Sequence, residues 1–348
     1  ALDDLTNRGG QPPLKVDVDA FTVGENLAAT PGKVVYRNEL IELIQYAPQT
    51  EQVHEIPILA APPWINKYYI LDLAPERSLV EWAIRHGRTV FMISYRNPDE
   101  SMQNVTMSDY YVQGIASALD VVEEITGSSR IEVLSICLGG AMAAMAAARL
   151  AADGDHRICA LTMLNTLLDY SDVGELGLLT DPATLDNVEF RMRAQGFLSG
   201  HEMSGSFDMI RAKDLIFSYW VSRWMKGEKP TAFDILAWNE DSTRMPAAMH
   251  SHYLRTVRAQ RARRRRIRTR RCDSEFGRRP VRHVHRRCDQ RPHRAVDVVV
   301  RVGAAARRLR PVRAVQRRSH CGSGESARAE VLVRDGRRTR CGNPLPPC

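Results

Sequence analysis

The chain has 348 residues, 44% apolar and 26% charged, enough for one large domain or a domain plus a subdomain with a core that needs no disulfide support. Its seven cysteines, at 137, 159, 272, 288, 321, 341 and 348, show no paired spacing, which argues against a disulfide framework and for a reducing, cytoplasmic compartment. The net charge of +8 is a sum of opposites: residues 257–348 hold 28 Arg, no Lys and seven acidic residues, net +21, whereas residues 1–256 carry −13. A basic partner-binding surface, if present, therefore belongs to the tail alone.

Residues 1–50 form an N-terminal segment. It begins Ala1-Leu2-Asp3-Asp4, with no basic start leading into an apolar stretch, so no signal peptide is expected. Residues 51–169 form the expected core domain; within it, from 56 to 164, short β-branched apolar runs alternate with amphipathic stretches, the pattern of a parallel sheet with crossover helices. Strands are expected at Ile56–Ala61, Thr89–Tyr95, Ile131–Ser135 and Ile158–Leu164. Ser108 and Asp109 are expected to cap a helix that runs through Ala118, Val121 and Val122 to a stop at Gly127. A second helix follows Cys137; the apolar stretch to Ala152 is too short for a membrane span and is interrupted by Arg149. Residues 170–256 turn aromatic and Met-rich without clear strands (Phe207, Met209, Phe217, Tyr219, Trp220, Trp224, Met225). They read as a helical cap inserted over the C-terminal edge of the sheet, where ligands bind in such folds.

The chemistry concentrates in Ile131-Glu132-Val133-Leu134-Ser135-Ile136-Cys137-Leu138-Gly139-Gly140-Ala141-Met142, which runs from strand to helix through Cys137. A sharp strand-to-helix turn exposes the side chain at its apex and needs small residues two positions either side. Ser135 and Gly139 meet that need, with Gly140 beyond. The helix N-terminus is expected to favour a thiolate, and the Leu138 N–H to stabilise an oxyanion. The alternative is one more buried thiol.

The same residues resemble the Gly-x-Cys-x-Gly-Gly signature of the poly(3-hydroxyalkanoate) synthases, α/β-hydrolase-type enzymes, with Ser135 in place of the first Gly. Further segments resemble that family: Gly24-Glu25-Asn26-Leu27-Ala28-Ala29-Thr30-Pro31-Gly32-Lys33-Val34-Val35, Leu43 to Thr50, Pro62 to Leu73, Arg96-Asn97-Pro98-Asp99 and Trp238 to Pro246. The resemblance covers roughly residues 10 to 255. It implies an α/β fold, a mostly parallel sheet with a helical cap, and a Cys137-bound acyl intermediate. The implied substrate is an (R)-3-hydroxyacyl-CoA, polymerised without a cofactor or metal. Ile65 and Asn66 are implied as the second oxyanion contributors. A homodimer at the surface of a polymer granule, with that granule's proteins as partners, is also implied. A Cys-dependent thioesterase or hydrolase of the same fold is the alternative within enzymes.

A thiol with an ordinary pKa near about 8.5 needs a base, usually a His oriented by an acid. The family places both after the region ending at Arg255, and neither motif stands in frame here. Residues 257–348 contain no Lys, Tyr, Trp or Met, while Arg, Ala, Val, Gly and Pro abound; these are products of GC-rich codons, with no helical or strand period. One nucleotide forward, the codons beneath Arg291 to Val296 can read Asp, His, Ile, a variable residue, Pro, Trp. Those beneath Arg318 to Ala327 can read Gly, His, Ile, Ala, Gly, two variable residues, Asn, Pro, Pro. These resemble the family's acid and His motifs, with the acid beneath Arg291 and the base beneath Ser319. The tail is therefore expected to be off-frame, and irregular or disordered. The alternative is a genuine basic arm that binds nucleic acid or the granule through its Arg261 to Arg271 run.

Asp241 is expected to hold the Trp238 turn, and His250 and His252 to be surface or capping residues. His283, His285 and His293 with Cys272 and Cys288 lack zinc-finger spacing.

Overall fold

The computed structural model describes residues 2–7, 9, 12–174, 177, 180–260 and 298–300, all within the first of the chain's two units, Ala1–Arg307. A short helix, α1 (Leu2–Asn7), precedes an antiparallel pair, β1 (Gly32–Arg37) and β2 (Ile41–Tyr46). The turn between these strands is fixed by Asn38, whose side-chain oxygen accepts from the N–H groups of Leu40 and Ile41 at 2.8 Å each.

The sheet continues with β3 (Ile58–Ala61), β4 (Val90–Tyr95), β5 (Ile131–Ile136) and β6 (Ile158–Leu164). The four expected strands are therefore present, each within two residues of its expected ends. Strand order is β1-β2-β4-β3-β5-β6-β9, where β9 is Val298–Val300, antiparallel to β6. Pairings among β4, β3, β5 and β6 are parallel, and β2 meets β4 antiparallel. The sheet is mostly parallel at its centre, and the α/β expectation stands.

Both faces of β3 and β4 are covered, which is why these two strands read as continuous apolar runs. Residues alternate between two cores: Leu59, Ala61, Phe91 and Ile93 join one cluster, Ala60, Val90 and Met92 the other. The second face is closed by α2 (Leu79–Arg85) through Val80, Ala83 and Ile84. The first is closed by α3 (Met107–Asp109), a π-helical stretch (Tyr110–Ala116) and α4 (Ser117–Thr126), which run on without a break, and by α5 (Leu138–Ala152).

The expected helix start is corrected by two residues. Its N-cap is Thr106, whose hydroxyl accepts from Asp109 N while the Asp109 carboxylate accepts back from Thr106 N at 2.7 Å. Asp109 is thus the third residue of a capping box. The Thr106 hydroxyl also donates to this carboxylate at 2.7 Å, and that bond foremost, with the one from Thr106 N, holds the Asp109 carboxyl below its usual pKa. Gly127 ends α4 in the left-handed region at φ 66°, as expected.

The cap region comprises α6 (Pro182–Gln195), α7 (Gly200–Ile210), π-helical turns at Lys213–Phe217 and Trp220–Met225, and α8 (Asp234–Glu240). The expectation of no strands here is corrected: β7 (Phe197–Leu198) pairs antiparallel with β8 (Met245–Pro246). Two residues are too few to display a period. A last helix, α9 (residues 247–260), carries the chain four residues beyond the expected tail boundary, with Val257 buried. Segments that follow the C-terminal ends of β3 and β4 are tied to the cap: Trp238 Nε1 donates to Lys67 O at 2.9 Å, and Arg244 N to the Asn97 side chain at 2.9 Å.

No helix among the described residues is long and apolar enough to cross a membrane. Within the segment expected to be irregular, residues 257–260 are helical and Val298–Val300 form β9; the expectations for residues 261–297 and 301–348, including the arginine run and the His and Cys grouping, lie outside the described residues.

Candidate active site

β5 ends at Ile136 and α5 begins at Leu138, so Cys137 alone makes the turn. It does so at φ 54° and ψ −122°, a conformation that costs a side-chain-bearing residue on the order of 1–3 kcal/mol and persists only where neighbours over-determine it. Those neighbours are visible. Cys137 N donates to Leu164 O at 2.9 Å, extending the β5–β6 ladder, while Cys137 O accepts from Gly140 N at 3.1 Å and from the Thr166 hydroxyl at 3.2 Å.

The small residues are required by space. A Cβ on Gly139 would lie 2.2 Å from Ala61 O and 2.6 Å from Pro62 O, and one on Gly140 would lie 2.0 Å from the Thr166 hydroxyl oxygen. Ser135 is fully buried, and its hydroxyl donates to Thr162 O on β6 at 3.0 Å. The hydroxyl is thus satisfied by the neighbouring strand, which explains how Ser is accommodated at this position.

Cys137 is open to solvent, yet the mass of protein around it pushes its thiol pKa up, with the Leu138 N–H pulling the other way. The expected pull of the helix N-terminus toward a thiolate is present in the Leu138 N–H, set against the surrounding protein's push the other way. The thiol is therefore mostly protonated near neutral pH and gains from a base.

The loop carrying Ile65 and Asn66 leaves β3 against the first turn of α5, because Ala61 and Pro62 are the atoms that Gly139 admits. Trp64 anchors it, 1% exposed, edge-on to Tyr110 at 6.1 Å and to Tyr253 at 6.2 Å. Ile65 is buried, and Asn66 forms an isolated antiparallel bridge with Ser242 in the cap.

Two residues that sequence reasoning missed also belong to the neighbourhood. Tyr253 on α9 and Tyr170 after β6 meet edge-on at 5.8 Å, and burial foremost raises the pKa of both phenols. Isolated tyrosines carry no motif, so only the tertiary fold reveals them.

His250 is corrected from a surface or cap residue to a buried one. It is 5% exposed, Nδ1 lacks a partner, and burial lowers its pKa to about 4. It lies 6.3 Å from the Tyr253 ring. A neutral, weakly basic imidazole of this kind is a poor general base for a thiol whose pKa is raised. Asp241 accepts from Tyr69 Oη at 2.8 Å beside the Trp238–Lys67 bond, in keeping with a holding role. Cys159 donates to Ile131 O at 3.4 Å, away from the turn. Among the described residues, no group of three His, Cys, Asp or Glu could hold a metal ion.

Residues 1–83 match the family model of the poly-beta-hydroxybutyrate polymerase (PhaC) N-terminus, and residues 64–257 that of the alpha/beta hydrolase fold. The chain is 45% identical over 254 residues to a poly(3-hydroxyalkanoate) polymerase of Methylorubrum extorquens, covering 73% of this chain and 42% of that protein. It is 43% identical over 255 residues to the PhaC subunit of the polymerase from Rhizobium meliloti (strain 1021), with coverage of 73% and 42%. To the corresponding subunit of Cupriavidus necator (strain H16) it is 42% identical over 262 residues, covering 73% and 44%. The chain spans less than half the length of these curated relatives.

Proposed function

Since this chain belongs to the α/β-hydrolase fold family and, over 73% of its length, to the poly(3-hydroxyalkanoate) synthases within it, we propose that Cys137 is the nucleophile of an acyl transfer from an (R)-3-hydroxyacyl-CoA. The observation that carries this reading is the strained Cys137 apex between β5 and α5. In the proposed first step the Cys137 sulfur attacks the thioester carbonyl, and the Leu138 N–H with an N–H of Ile65 or Asn66 holds the oxyanion. The C–S bond to CoA then breaks, CoA leaves as its thiol, and the acyl group remains on Cys137. The hydroxyl of the next unit attacks this acyl-enzyme, loses its proton and releases the thiol of Cys137.

Polymer growth needs a base in both halves of that cycle. The in-frame sequence supplies no Asp or His motif of the synthase type, and the similarity to the alpha/beta hydrolase model stops at residue 257, where the composition changes. We therefore propose that residues 257–348 are read off-frame and that the chain as it stands is impaired. A positioned base is worth roughly 10²–10⁴-fold. The domain reading follows: 1–50 as the synthase N-terminal segment, 51–169 as the hydrolase core, 170–256 as the cap. A cytoplasmic, granule-associated homodimer belongs to the same proposal and rests on the family resemblance alone.

The test is product analysis with (R)-3-hydroxybutyryl-CoA for the chain and for a version with the frame restored after Thr256. Polymer with CoA release from the restored version supports the proposal. Free 3-hydroxy acid from both selects a thioesterase instead, and equal polymer from both overturns the frame reading.

A further inference from the structure

Residues 4 and 15–17, far from the cap in sequence, are bonded to it at several points. Trp224 Nε1 donates to the Asp4 carboxylate at 2.7 Å and the Arg223 guanidinium to Lys15 O at 3.3 Å, both from the π-helical turn Trp220–Met225. Asp17 N donates to Thr231 O at 3.2 Å, beside a parallel bridge between Val16 and Thr231. Val16 itself is 1% exposed, in a small cluster with Leu27, Tyr69, Leu73 and Ala237. This cluster joins α8, which carries Ala237, to the segment after β3, which carries Tyr69 and Leu73.

Lys15 makes the strongest of these connections. Its ammonium lies 2.6 Å from the Asp208 carboxylate on α7 and 3.0 Å from the Glu240 carboxylate at the end of α8, with 11% of the side chain exposed. One cation thus ties two cap helices to the N-terminal segment. The Asp208 side chain is 15% exposed, and its other carboxylate oxygen is buried without a partner. Removing the ammonium therefore leaves a mostly buried carboxylate unpaired, so this bridge stabilises more than an ion pair on the open surface does.

The end of α8 is also where the cap meets the loop of Ile65 and Asn66. Asp241, next to Glu240, accepts from Tyr69 Oη at 2.8 Å, Trp238 Nε1 donates to Lys67 O at 2.9 Å, and Ser242 bridges Asn66. A displacement of α8 reaches that loop through these three contacts. We propose that the N-terminal segment is a strap that holds the cap on the core, with Lys15 as its latch, and that releasing the latch loosens the Ile65–Asn66 loop together with the cap. The strap does not depend on the reading of Cys137: it holds whether or not that thiol accepts an acyl group.

Hydrogen exchange of the full chain, followed peptide by peptide with mass spectrometry, tests the strap without any turnover. Lys15→Met keeps an unbranched apolar stem and removes the charge. A hydrogen bond to a charged group is worth a factor of roughly ten to a hundred in an opening equilibrium. Peptides spanning residues 203–242 and 63–69 are therefore expected to exchange faster by about that factor in Lys15→Met, while those of β3, β4 and β5 exchange as before. Lys15→Arg, which retains the charge, is expected to exchange like the unaltered chain. Trp224→Phe, which removes the bond to Asp4 alone, is expected to move the same peptides by less. Unchanged exchange over 203–242 in Lys15→Met overturns the strap. Equal acceleration in the strands also overturns it, since Lys15 then serves global stability alone. Faster exchange in the cap with 63–69 unmoved overturns the coupling to the loop. If Lys15→Met does not fold, Glu240→Gln decides: faster exchange over the same peptides supports the latch, and unchanged exchange refutes it.

Discussion

The two glycines after Cys137 are crowded by different kinds of neighbour, and that difference can be measured. A Cβ on Gly140 would sit 2.0 Å from the Thr166 hydroxyl oxygen, 2.7 Å from its methyl and 2.9 Å from its Cβ, all atoms of one side chain. A Cβ on Gly139 would sit 2.2 Å from Ala61 O and 2.6 Å from Pro62 O, both backbone. Overpacking of this kind costs about 1–3 kcal/mol, more where the obstacle cannot rotate away. With a urea m-value of about 2–3 kcal/mol/M, Gly140→Ala is expected to lower the unfolding midpoint by roughly 0.5–1 M. Thr166→Gly removes every atom in the way. By itself it is expected to cost about 1 kcal/mol, since the Thr166 hydroxyl serves the Cys137 and Leu164 carbonyls at 3.2 and 3.1 Å. The double variant is expected to regain about 1–2 kcal/mol relative to the sum of the single changes. Gly139→Ala combined with Thr166→Gly is expected to regain nothing. Equal rescue of both alanines by Thr166→Gly, or no effect of Gly140→Ala, would refute this packing of the turn.

Lowering the pH tests His250. Its folded pKa of about 4 lies below the ordinary 6.5, so the unfolded chain binds a proton that the folded chain refuses. This contribution to stability is present above pH 6.5 and declines as the pH falls toward 4, by about 3 kcal/mol in all; urea titrations at several pH values should show His250→Phe losing less over that window. Leu119, fully buried on the inward face of α4, is expected to cost about 2–5 kcal/mol when changed to Ala, read from the same denaturation curves, and a loss under 1 kcal/mol would place it outside the core. Ser135→Ala removes the 3.0 Å bond to Thr162 O and is expected to cost about 1 kcal/mol without changing the pH at which alkylation of Cys137 is half-maximal.

Strands β3 and β4 were legible because they are buried on both faces: Val90-Phe91-Met92-Ile93 serves two cores at once and leaves an apolar run in the sequence; β5 and β6, where buried residues alternate with half-buried ones, were legible from their β-branched alternation. The turn at Cys137 was legible for a steric reason, since few sequences place a serine and two glycines so tightly around a cysteine between a strand and an Ala-rich helix. Strands β1 and β2 were not singled out; Ile41 and Leu43 alternate with Glu42 and Ile44, a half-buried pattern weaker than a continuous run. The helix cap was misplaced by two residues because Thr106 and Ser108 are chemically alike, and only the backbone decides which one stays extended. His250 could not be read as buried from its local sequence, Met249-His250-Ser251-His252. Nor could Tyr170 and Tyr253, 83 residues apart, be seen to meet, since their proximity depends on α9 returning across the β6 end of the sheet.

The account stands or falls on covalent acylation of Cys137, and the most direct measurement separates that step from turnover. Burial raises the thiol pKa, so if no base is in place, as proposed, hydroxide can take its role: raising the pH toward about 11 increases the thiolate fraction without help. The full chain is incubated there with (R)-3-hydroxybutyryl-CoA, and the intact protein and its peptides are weighed by mass spectrometry. One hydroxybutyryl group on the Cys137 peptide, absent after Cys137→Ala and formed much more slowly at pH 7, is the expected result. An unmodified Cys137 under these conditions, or an adduct that survives Cys137→Ala by residing on Cys159 or elsewhere, would contradict the claim that this turn presents the nucleophile.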